Sequence, residues 1–279
     1  MVSAPARIPL GPNSVLGRLA NDPRIGFTGF SLGVLQLMHP AVSAGVIAHS
    51  DFFNDPFDRI YRSLPRIIAS VTAPDSAERA LRIRDYHREI KGVDPEGRRY
   101  HALDPDVFWW THMTFVWGFL LAADRFHHRP PRGVERDRYY AESVEWWQRY
   151  GLSMRPVAPD LASFLAEFDD ICANVLEWTP AASRAMKVSR LEVAMLPAIA
   201  SKLVSIPGTP LARLALVGGL PPIVRERFDI AWGWPQEQAY RAFARSVRNA
   251  GRAVPDGFAQ YTNTLMLKRI GAATQLASV

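Results

Sequence analysis

A chain of 279 residues with 48% hydrophobic and 22% charged content is ordinary for a globular protein and long enough for one large domain or two small ones. Its single cysteine, Cys172, excludes a disulfide framework, and its place in the apolar pattern Phe168, Ile171, Cys172, Val175 makes it a small core hydrophobe rather than a nucleophile. The net charge of +6 comes from arginines scattered along the chain with no nucleic-acid module among them, which excludes nucleic acid as a partner and leaves peripheral contact with an acidic membrane surface open.

The N-terminus lacks a basic start followed by a long apolar run, so no signal peptide is expected, and a cytoplasmic location follows as an expectation. After an irregular start, Phe27 to Met38 is apolar at helical spacing and stops at His39-Pro40. A short small-residue segment, Ala41 to His49, follows. Asp55-Pro56 is a cap-plus-proline start for a helix toward Ser70, with Pro65 inside it as a source of bending. Asp75 and Glu78 have capping-box spacing and open the helix that carries His87.

Residues 92 to 104 form a turn-rich connector that predicts a small hairpin. Asp104-Pro105 then launches the most apolar helix, to about Arg125; it is too short and too polar for a membrane span and reads as a core helix. Further helices are expected over 135–150 and 160–178, from Thr179-Pro180 in broken form to Lys202, and over 235–249 and 258–270, the last two completing the bundle. Breaks fall at Ile206-Pro-Gly-Thr-Pro and Gly218-Gly-Leu-Pro-Pro222. With no repeat, low-complexity stretch or linker, residues 1–279 read as one all-α domain, a multi-helix bundle.

Chemistry concentrates in histidines and arginines. His87 shares an apolar helical stripe with Ala80, Ile83 and Ile90, and an interior imidazole must find a partner, stay neutral or bind a metal. Arg59, Arg62, Ser63 and Arg66 form a polar stripe at offsets 0, 3, 4 and 7. His39 ends an apolar helix and His112 sits among Phe108, Trp109, Phe115 and Val116. His101, His127 and His128 lie in loops and read as exposed. His49 and Asp51 offer donors to a non-haem iron or zinc ion, without HExxH or CxxC spacing behind them. No nucleophile elbow or Gly-rich phosphate loop is present. A bundle with interior histidine and inward arginines suits haem, because imidazole ligates iron and guanidinium groups neutralise propionates.

The run His39-Pro-Ala-Val-Ser-Ala-Gly-Val-Ile-Ala-His49-Ser-Asp51-Phe, then Asp55-Pro-Phe-Asp-Arg59-Ile-Tyr-Arg62-Ser63-Leu, then His87-Arg-Glu-Ile-Lys-Gly92 with Tyr100-His-Ala-Leu-Asp104-Pro105, and Trp110-Thr-His112, resembles the MpaB and rubber oxygenase (latex clearing protein) catalytic-domain family. The resemblance covers about residues 11–235, and Gly219-Leu-Pro-Pro222 with Trp232 fits its C-terminal part. It implies a helical haem b protein that uses dioxygen to cleave carbon-carbon double bonds. Position by position, His87 is similar to the proximal iron ligand and Arg59 to the arginine near the haem. Arg62 and Ser63 fall where rubber-cleaving members carry lysine and threonine. A guanidinium stays protonated and cannot ligate iron as an amine can, so distal control must differ. No residue matches the family's proposed catalytic glutamate.

The expected protein is therefore a single all-α domain with a haem-sized internal pocket, a haem b-dependent oxygenase acting with dioxygen on a hydrophobic, unsaturated or prenyl-like small molecule. His87 would hold iron, Arg59 would orient haem, and Arg62 with Ser63 would form the distal polar edge; which of His39, His87 and His112 reaches iron stays open. Phe108, Trp109 and Phe115 would line apolar walls. Two alternatives stand beside this reading: a cofactor-free helical protein binding a lipid or a partner helix, and a non-haem metal enzyme using His39, His49 and Asp51.

Overall fold

A computed structural model describes residues 8–50, 56–187, 208–258, 260–261 and 264–265, with the side chains of 56–62, 187, 208–210 and 212 excepted. The chain folds as a single, predominantly all-α domain whose only sheet, among the described residues, is a two-stranded hairpin.

The start is more ordered than its composition suggests. Ser14 accepts a hydrogen bond from the Gly17 N–H and caps α1 (Val15–Ala20), and Asp22 caps a 3-10 turn (Pro23–Phe27). α2 (Gly29–Met38) follows, then α3 (Pro40–His49), which takes in the small-residue segment Ala41 to His49. His39 stands between them in extended conformation, as a residue before proline must. α4 (Pro56–Thr72) runs through Pro65, and α5 (Ser76–Tyr86) packs along it. The capping box expected at α5 does not form: the Asp75 carboxylate receives Arg79 Nε at 2.7 Å instead of a backbone N–H.

The expected hairpin is present. β1 (Lys91–Val93) and β2 (Arg99–His101) pair antiparallel with Gly92 opposite Tyr100, and Gly97 takes φ +81° in the turn. A side chain at Gly92 would collide with the Tyr100 ring, which lies over it and reaches toward His49 on α3. Arg98 ties the hairpin down through Asp94 (2.6 Å) and Glu177 (2.7 Å).

α6 (Pro105–Phe126) is the central helix. Asp104 accepts the Asp106 N–H and Pro105 fills the first position, so the start signal works as read. Its buried residues face α2 on one side and α7 (Val134–Gln148) on another. α8 (Leu161–Asn174) starts at an Asp160 cap. α9 (Pro180–Lys187) starts where Thr179 accepts the Ala182 N–H and donates to the Leu37 carbonyl. The continuation toward Lys202 lies outside the described residues. α10 (Gly208–Gly218), α11 (Pro222–Arg227) and α12 (Trp234–Gly251) complete the body, α12 lying against α6 and α10.

α2 crosses α6 where Gly118 has no side chain, since a Cβ there would lie 2.2 Å from Leu32 Cδ1. Glycine in a helix interior costs about 1 kcal/mol relative to alanine, and overpacking costs about 1–3 kcal/mol, so the crossing outweighs the helix propensity. Gly118→Ala is therefore expected to lower the stability read by urea unfolding by about 1 kcal/mol or more, and to become neutral or stabilising when combined with Leu32→Ala. Equal losses in both backgrounds would show that the crossing does not depend on this contact.

Candidate functional site

His87 sits one residue beyond α5 as its C-terminal cap, with its backbone N–H on the Arg84 carbonyl. The facing read from the apolar stripe holds: Ala80 is buried and Ile83, His87 and Ile90 are half-buried, amid exposed neighbours. Its Nδ1 lies 2.7 Å from the Ile83 carbonyl oxygen, one helical turn back. A carbonyl only accepts, so the proton is on Nδ1 and the neutral ring keeps its lone pair on Nε2. The ring edge packs on Phe108 at the start of α6, 5.5 Å between centroids.

The arginine stripe belongs to α4, the helix packed on α5. The side chains of Arg59 and Arg62 lie outside the described residues, as does Asp51. Ser63 is half-buried. Arg66, at the far end of the stripe, is exposed, with its guanidinium 5.7 Å from the Tyr86 ring, so at that end the stripe is a solvated face.

His112 occupies a different environment. Its ring is enclosed by Trp109 (5.3 Å), Trp146 (4.5 Å), Trp147 (5.4 Å) and Tyr150 (6.0 Å), and its Nε2 lies 3.1 Å from the Ser143 carbonyl. Burial lowers its pKa to about 3. This is the setting of a core histidine. His39 stacks on Trp110 at 6.4 Å and its pKa falls to about 4, burial outweighing the pull of Glu177 and Asp104. His49 is exposed and touches Tyr100. Of the intended wall residues, Phe108 and Trp109 are buried in the aromatic core and Phe115 is half-buried. Cys172 is buried and its thiol pKa is pushed up by that burial, as a core hydrophobe requires.

None of the three histidines expected in exposed loops is exposed: His101 is half-buried in β2, where its Nδ1 accepts the Leu103 N–H at 2.9 Å, and two others come together. His127 is buried and His128 half-buried; with Asp256 they bring ligand atoms within 4.8 Å of one another, a spacing that can hold a metal ion. As folded, the trio is an ionic network. His127 Nδ1 accepts the Arg129 N–H at 2.8 Å, which places the ring proton of the neutral form on Nε2, 3.2 Å from Asp256 Oδ1. Arg24 adds its own charge, 3.5 Å from Asp256 and 2.6 Å from Asp22. Burial, and after it that guanidinium, lower the His127 pKa. Sequence spacing carried no sign of this group, because Asp22, His127 and Asp256 are brought together only by the tertiary fold.

Buried carboxylates were also missed. Glu142 is fully buried and accepts the Leu16 N–H at 2.7 Å and Arg138 Nε at 2.9 Å, so it neutralises the open N-terminus of α1. Glu145 is paired with Arg149, which reaches Ser76 at the start of α5. α7 thereby fixes the position of the helix that ends in His87.

His39 and His112 are neutral when folded but have ordinary values near 6.5 once unfolded. The unfolded chain therefore binds protons first as pH falls, and each ring removes about 1.4 kcal/mol of stability per pH unit below 6.5 until its folded pKa is reached. His112→Gln is expected to lose about 2 kcal/mol less than the wild type between pH 6.5 and 5, measured by urea unfolding at each pH. Identical losses would mean that His112 is not buried in the neutral form.

Among the described residues no single helix is long and apolar enough to cross a membrane. No curated protein and no solved structure matches this chain. The family model described as ER-bound oxygenase mpaB/B'/rubber oxygenase, catalytic domain, matches residues 17–249. That region runs from within α1 to nearly the end of α12 and includes His87 and the arginine helix. The chain belongs to the MpaB and rubber oxygenase catalytic-domain family, and its all-α body is an oxygenase-type catalytic domain acting with dioxygen on a small molecule.

Proposed function

We propose that this domain is a haem b-dependent oxygenase that acts with dioxygen on a hydrophobic, unsaturated or prenyl-like small molecule. The observation that carries the reading is the hydrogen bond from His87 Nδ1 to the Ile83 carbonyl. Histidines that bind metals commonly donate their second ring nitrogen to a carbonyl or carboxylate, which fixes the tautomer and raises the basicity of the ligating atom. His87 has that arrangement at a half-buried position, whereas His112 is fully enclosed by aromatic rings. The donor chemistry of this chain thus fits the group the family implies.

When bound, haem iron would supply dioxygen binding and the redox capacity for oxygen transfer to the substrate. His87 would present Nε2 to the metal from a position braced by Phe108 and by the α5 carbonyl. Arg59 would neutralise a propionate, and Arg62 with Ser63 would hold hydrogen-bond donors on the distal side. The role given to Arg62 is donation alone, because a guanidinium has no lone pair to offer.

Haem supplementation of the purified protein tests this directly. A Soret band with one haem per chain by pyridine haemochrome is expected, together with its loss in His87→Ala and a higher melting temperature with haem than without it. No Soret band, or the same spectrum in His87→Ala, would overturn the assignment. The non-haem alternative, which uses His39, His49 and Asp51, is favoured instead by stoichiometric iron or zinc that disappears in His49→Ala.

A further inference from the structure

The second half of α6, the turn between α10 and α11, α11 itself and the start of α12 line a cleft of about 340 Å³. None of its lining comes from α4 or α5, and no histidine is among the described residues that line it, so it offers no axial ligand to iron. Its apolar lining includes Trp117 and Leu121, both half-buried on α6. Its charged lining is Arg125, Arg225, Arg241 and Glu237, three cations against one acid.

That acid is already occupied. Glu237 receives Arg241 Nε at 2.7 Å on one oxygen and Trp232 Nε1 at 3.0 Å on the other, which leaves the charges of Arg125 and Arg225 without a carboxylate. Arg225 is half-buried: its Nη1 donates to the carbonyls of Val217 (3.2 Å), Gly218 (3.4 Å) and Leu220 (2.7 Å), and its guanidinium carbon stands 5.0 Å from the Trp232 ring centre. Those partners fix the guanidinium in place without a charge to offset it. Burial lowers the Arg225 pKa, outweighing the attraction of Glu237, and Arg125 pushes the same way. The Arg125 guanidinium is exposed and makes no hydrogen bond or ion pair among the described residues.

A further donor lies behind this lining. A Cβ on Gly218 would come 2.5 Å from the Tyr240 ring, and the buried Tyr240 hydroxyl has no hydrogen-bond partner among the described residues. The charged groups that act on it are Arg125, Arg225 and Glu237. Charged and polar donors around the cleft therefore outnumber anionic acceptors, and a half-buried charge left uncompensated costs free energy that an incoming anion removes.

Guanidinium forks match the oxygens of a carboxylate or a phosphate, and an indole ring and a leucine beside them favour an apolar body over a bare inorganic ion. We propose that this cleft binds a small organic oxyanion, a carboxylate or phosphate head on a short apolar body, with Arg125 and Arg225 on the head and Trp117 and Leu121 against the body. The carbonyls that hold Arg225 orient it beforehand, so binding costs it little freedom.

Calorimetric titration of the full chain with octanoate, octyl phosphate, 1-octanol and inorganic phosphate tests this. At least one of the two amphipathic anions is expected to bind, to raise the melting temperature and to be weakened by salt, and the tighter of the two names the head group. Octanol, which lacks the charge, and inorganic phosphate, which lacks the body, are expected to bind at least about tenfold more weakly. Arg125→Gln should weaken the anion about tenfold at an unchanged melting temperature of the free protein, because that guanidinium is exposed and unpaired. Arg155→Gln, an exposed arginine outside the cleft, should leave binding as it is. Binding of neither anion, equal binding of octanol or of inorganic phosphate, or an affinity untouched by Arg125→Gln would each overturn the proposal. The titration needs no haem, so its outcome is separate from that of haem reconstitution.

Discussion

The aromatic layer shared by α6 and α7 is the constraint on which the placement of the other elements depends. Trp109, Trp146 and Trp147 are buried around His112; Trp146 donates to Ser70 on α4, Trp147 to the Ser153 carbonyl, and Tyr139 of the same layer to the Val116 carbonyl. Rings of this size bury large apolar areas, and their donors fix orientation as well as depth. Ser70 draws α4 into the layer, Arg149 draws in the start of α5, and Phe108 meets the end of α5. The two helices that carry the candidate chemistry are thus referenced to the same rigid core.

Environment separates histidines that look alike on paper. His112 is enclosed by rings and loses basicity to desolvation, so it serves packing. His87 lies at the rim, where a helix ends and a carbonyl is available to take its Nδ1 proton. His127 caps the C-terminal end of α6, the helix that carries His112, and its ionic network with Asp256 secures the C-terminal helix. Burial alone would rank His112 first as a site. Tautomer and position favour His87.

Start signals were the most legible part of the sequence. Asp104-Pro105, Asp160 and Thr179-Pro180 each opened a helix where expected, because a side-chain acceptor at the cap and a proline at the first position act locally. Segments governed by tertiary contact were less legible. α3 is made of small residues with little amphipathic pattern, yet it is helical between α9 and the hairpin, packing over the Ile90 and Tyr100 side chains through Gly45. Asp75 had the right spacing for a capping box but nearby Arg79 competes for its carboxylate. The C-terminal stripe was read as one that completes the bundle. Periodicity reveals that a helix has two faces but not which face the body takes, and here the partners of Asp256, Gln260 and Thr264 decide it.

The account turns on which nitrogen of His87 carries the proton. Long-range proton–nitrogen correlation NMR of the imidazoles, with His87 assigned by its absence in His87→Gln, reads this without any cofactor present. The Ile83 carbonyl requires the Nδ1–H tautomer, with Nε2 showing the nitrogen shift of an unprotonated ring nitrogen. A signal from the Nε2–H tautomer would contradict it, because the Ile83 carbonyl would then receive no proton from Nδ1 and Nε2 would have no lone pair to offer a metal.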